Sequence, residues 1–70
     1  MMQNMKKNHY VEIWEQRVND CKCGIVYCET ALASDLEPWE RKEYSKLLAD
    51  HKAELPGLEK QLAYVISLNN

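Results

Sequence analysis

The sequence predicts an all-α chain folded as an antiparallel helical hairpin, and three observations carry that prediction. Between Val11 and Leu32 the apolar positions Val11, Trp14, Val18, Cys21, Ile25, Cys28 and Leu32 are separated by 3, 4, 3, 4, 3 and 4 residues. This is the heptad rhythm of a helix packed lengthwise against another helix, and no period-2 strand register fits the same residues. Tyr44, Leu48, His51, Leu55, Leu58, Leu62 and Val65 then keep the rhythm as 4, 3, 4, 3, 4 and 3. Between the two runs lies Ser34-Asp35-Leu36-Glu37-Pro38, whose proline disfavours helix at the preceding residue and suits the first turn of a new one. So short a connection allows no parallel return, and the helices must run antiparallel.

The first helix is expected over about residues 9–33, with Asn8 as its N-cap, Glu12 in the dipole-favoured first turns and residues 1–7 as a frayed lead. Gly24 is its weak point. Glycine costs a helix about 1 kcal/mol relative to alanine, and Ile25-Val26-Tyr27-Cys28 has strand propensity. On the helical wheel, however, Gly24 flanks the seam together with Ala31, where small residues let a neighbouring helix approach closely. The helix is therefore carried through Gly24; a break at Cys23-Gly24, leaving a helix over residues 9–22, is the alternative.

The second helix is expected over about residues 38–67, capped by Ser34 or Asp35, with Glu37 and Glu40 placed for the dipole and Glu37 paired with Arg41 at i,i+4. Pro56-Gly57 interrupts it, and an interior proline removes a hydrogen bond. The heptad phase nonetheless survives from Leu55 to Leu58, which favours one helix kinked at Pro56. A reversal at that point would give a three-helix bundle instead.

Seventy residues form a single small domain, 1–70, and one core of that size rarely supplies more than roughly 3–5 kcal/mol. A lone hairpin buries each seam on one side, leaving Tyr10, Ile13, Tyr27, Leu47, Tyr64, Ile66 and Leu68 with apolar area to cover. A homodimer of hairpins, packed as a four-helix bundle, is the expected remedy. Its interface residues are Val11, Trp14, Val18, Cys21, Ile25, Cys28 and Leu32 on the first helix and Leu48, Leu55, Leu58, Leu62 and Val65 on the second. Tyr27, Trp39, Tyr64 and Ile66 form a candidate face for a larger protein partner. Trp14 is expected in the core. Trp39 is expected to pack over the end of the hairpin, the alternative being an exposed anchor for a partner.

The chemistry-bearing residues exclude more than they propose. There is no glycine-rich phosphate loop, no Ser-His-Asp set and no Glu-x-x-His pair, so no enzyme, catalytic residue or cofactor is expected. A net charge of −2 leaves no electrostatic footprint for phosphate backbones. A nucleic-acid-binding regulator using Lys6, Lys7, Arg41, Lys42 and Lys46 is thus the second-ranked function class.

Cys21, Cys23 and Cys28, with His9 and His51, invite a zinc reading. Along one helix, however, Cys21 and Cys28 lie about 10.5 Å apart, whereas two sulfurs on one zinc approach within roughly 4.6 Å. No metal ligand is expected, since a metal site would need a break at Gly24; the thiols read as two buried and one exposed, and a Cys-based metal or redox sensor is the third function class. His51 reads as a polar seam residue that fixes register.

No apolar run follows the N-terminal lysines, and no stretch of about 18 apolar residues occurs. The expected location is the cytoplasm, where an odd number of thiols stays reduced. The function expected from all this is a non-enzymatic interaction or regulatory module acting through a helical face.

Overall fold

Both heptad runs form helices. The computed structural model describes residues 9–69, in which α1 spans His9–Leu32 and α2 spans Pro38–Asn69. The proposed lead and the Asn8 cap, with Lys6 and Lys7, lie outside the described residues. Cys21 meets His51 and Tyr27 meets Tyr44 across the pair, so the helices are antiparallel.

Neither suspect glycine nor proline ends a helix. α1 continues through Gly24, and α2 continues through Pro56, which rules out the three-helix alternative among the described residues. Pro56 and Lys52 are both exposed, so the Lys52 carbonyl, deprived of its i+4 N–H partner by the proline ring, can turn to water instead.

The turn is closed differently from the sequence expectation. Neither Ser34 nor Asp35 caps α2; the cap is Glu37. Its carbonyl accepts from the Arg41 N–H at 3.0 Å, and its own N–H donates to the Glu40 carboxylate at 3.0 Å. The latter is the reach-back half of a capping box. The Arg41 guanidinium, expected to pair with Glu37, instead donates to the carbonyls of Leu32 at 3.0 Å and Ser34 at 3.2 Å. It thereby satisfies acceptors that the end of α1 leaves open, while the Ser34 hydroxyl donates to Thr30 O at 3.1 Å.

Packing is lopsided. Among the described residues the buried ones are Val11, Val18, Cys21 and Cys28, all on α1. Along α2, Tyr44, Leu48, His51, Leu55, Leu58, Leu62 and Val65 all face the seam, yet each is only half-buried. Trp14, expected in the core, is also half-buried, with the Arg17 guanidinium 4.8 Å from its ring centroid. Trp39 does not pack over the hairpin end; it is 67% exposed.

The hairpin has two unlike faces. One is crossed by the ion pairs Lys22–Glu59 and Lys52–Glu29, each at 3.7 Å. Such exposed pairs are worth about 0–1 kcal/mol, but they put charge across that side. The other face carries an open groove between the helices. No described helix is long and apolar enough to cross a membrane.

Candidate functional site

The groove, about 630 Å³ in volume, is built from residues three and four apart on each helix. α1 lends Trp14, Arg17 and Cys21; α2 lends His51, Glu54 and Leu58. Heptad spacing directs Cys21 and His51 to the seam, and Glu54, one turn beyond His51, to the groove side of it.

Gly24 decides how closely the helices meet here. A Cβ built on it would lie 2.7 Å from His51 Nε2 and 2.9 Å from His51 Cδ2, closer than non-bonded atoms tolerate. The imidazole therefore rests directly on the α1 backbone in the space that a side chain would fill. The close approach expected at Gly24 exists, and a histidine ring makes it.

The Cys21 thiol donates to the His51 carbonyl at 3.1 Å. Burial raises its pKa above the ordinary thiol value, and the negative charges of Glu54 and then Glu59 raise it further. Cys21 is accordingly a protonated thiol, lacking the depressed pKa that marks a reactive cysteine. One ligand atom each from Cys21, His51 and Glu54 lies within 4.8 Å of the other two.

The remaining sulfur sites stay apart. Cys28 is wholly buried, and Cys23 is exposed. Sequence reasoning tested the cysteines only against one another along α1, where spacing forbids a shared ion. It looked for Glu-x-x-His, and the chain holds the reverse order, His51-x-x-Glu54. That order was the available signal.

The four residues grouped as a partner face do not form one patch. Tyr27 packs edge-on against Tyr44 across the hairpin, with ring centroids 5.9 Å apart and hydroxyls 3.3 Å apart. That hydrogen bond raises the Tyr44 phenol pKa above its ordinary value. Trp39 stands at the turn end of α2 and Tyr64 near the other, about 38 Å along the axis. Ile66 follows Glu59 by one heptad, on the ion-paired side. Leu47, by contrast, precedes Glu54 by one heptad, on the groove side.

Comparison with protein-family models, with curated proteins and with solved structures finds no match to this chain.

Proposed function

We propose that the chain is a non-enzymatic interaction module whose helical hairpin pairs through its groove-side face with a second copy of itself. The observation that carries this reading is the unfinished burial of α2: seven seam residues face α1, and none is buried. Large side chains left in water border the same face, with Tyr27 61%, Leu47 42% and Leu68 67% exposed. An apolar strip of this length is covered in stable helical proteins by another helical layer. Pairing over the face crossed by Lys22–Glu59 and Lys52–Glu29 would desolvate four charges, whereas the groove is lined by three, those of Arg17, Asp20 and Glu54.

Nucleic-acid binding finds less support. Arg41 is engaged at the turn, and Lys22, Lys46 and Lys52 each lie beside a carboxylate. Among the described residues this reduces the set of cations available for phosphate contacts. A labelled duplex titrated at low salt should show no binding at tens of micromolar, and a salt-dependent association would favour the regulator reading instead.

The test of pairing uses surface positions that a lone hairpin tolerates. Leu47→Glu combined with Tyr64→Glu should leave the helical circular dichroism intact while sedimentation equilibrium shows the mass falling to 8.2 kDa. Val26→Glu, at an outward position 60% exposed, should leave the assembly unchanged. A double variant that stays assembled would reject the groove-side face.

A further inference from the structure

We infer that Cys21, His51 and Glu54 form a binding site for a single divalent transition-metal ion of the zinc type, assembled across the two helices within one hairpin. The three side chains come from different helices yet place one sulfur, one imidazole nitrogen and one carboxylate oxygen within 4.8 Å of one another. Thiolate, imidazole and carboxylate are the donor types zinc takes, at bonds of about 2.0–2.3 Å, with three protein ligands typical of sites that keep a fourth position open. Bonds of that length with tetrahedral angles set donors roughly 3.3–3.8 Å apart. The contraction required is of the order of 1 Å, and Glu54, on the exposed side, has the torsional freedom to make it.

Gly24 lets the His51 ring settle onto α1 beside Cys21 rather than be pushed into solvent. On binding, the Cys21 S–H gives its proton to solvent and its hydrogen bond to the His51 carbonyl is released. Thiolate and carboxylate then balance the 2+ charge. The fourth position faces the groove, where water or a small ligand can occupy it. The ligand set is complete in one hairpin and stands independently of the pairing proposed above.

Cobalt(II), the spectroscopic stand-in for zinc, tests the site on the full chain after treatment with chelator. One equivalent should give a thiolate-to-cobalt charge-transfer band with visible bands of tetrahedral intensity, and one equivalent of zinc should bleach them. Cys21→Ser should abolish the charge-transfer band. Glu54→Gln, at an exposed position that the fold does not need, should weaken cobalt binding at least about tenfold. Cys23→Ser should change nothing, and circular dichroism of each variant separates a lost ligand from a lost fold. Absence of the band in the wild-type chain, or its persistence in Cys21→Ser, overturns the site; so does full affinity in Glu54→Gln.

Discussion

Replacing Pro56 with alanine should stabilise the hairpin by about 2–3 kcal/mol. Proline inside a helix is about 3 kcal/mol less favourable than alanine, through a missing N–H and a ring that crowds the preceding turn. α2 continues through this position, so an alanine there enters a helix that already exists. The gain should fall slightly short of the full difference because Lys52 is exposed, so that water can satisfy part of its carbonyl's need. Gly57→Ala should add about 1 kcal/mol, since a Cβ there meets nothing within 4 Å. Urea unfolding followed by circular dichroism, at one fixed protein concentration, measures both. A Pro56→Ala variant no more stable than wild type would mean that the local backbone is not the continuous helix described.

Gly24 predicts the opposite sign. Gly24→Val should cost about 2–3 kcal/mol, because a branched side chain cannot share the space holding the His51 ring and the helices must part. Gly24→Ala sets two effects against each other. Helix propensity favours alanine by about 1 kcal/mol, while a Cβ 2.7 Å from Nε2 forces the imidazole to move. The ring is half-buried beside an open groove, so it swings outward and the two contributions nearly cancel. In a His51→Ala background the contact is gone, and Gly24→Ala should then show its full propensity gain. The double-mutant cycle reads that difference directly. The same swing withdraws the imidazole from Cys21, so Gly24→Ala should weaken cobalt binding while leaving stability near that of wild type. Equal cobalt affinity in the two proteins would contradict the role assigned to Gly24.

Much of this architecture was legible from spacing alone. The 3–4 rhythm from Val11 to Leu32 and its continuation from Tyr44 to Val65 located both helices, and Pro38 located the restart of the chain. The phase held from Leu55 to Leu58 was sufficient to carry α2 across Pro56-Gly57. What spacing could not reveal was anything that depends on how far one helix slides along the other. Arg41 closes the turn by reaching back to Leu32 and Ser34, and a long flexible side chain declares no such target in a sequence. Once the offset is set, Cys21 comes level with His51. The ligand set is thus a property of register, which a search along α1 could not find. The half-burial of Trp14 and the exposure of Trp39 were missed for a related reason: periodicity names the face a residue occupies, and only the width of the opposing helix decides whether a large ring there is covered. The cap at Glu37 was hidden by stronger N-cap formers at Ser34 and Asp35, which lie too early for a helix that begins at Pro38.

The proposed pairing rests on a second helix that buries no described side chain, and mass in solution tests it most directly. Light scattering coupled to size exclusion, over roughly 5 to 200 micromolar so that mass action is visible, should give twice the chain mass of 8.2 kDa, dissociating if at all toward the dilute end. A folded chain that remains at 8.2 kDa across the whole range would contradict the account, because the half-buried seam of α2 would then be stable in water without a second layer.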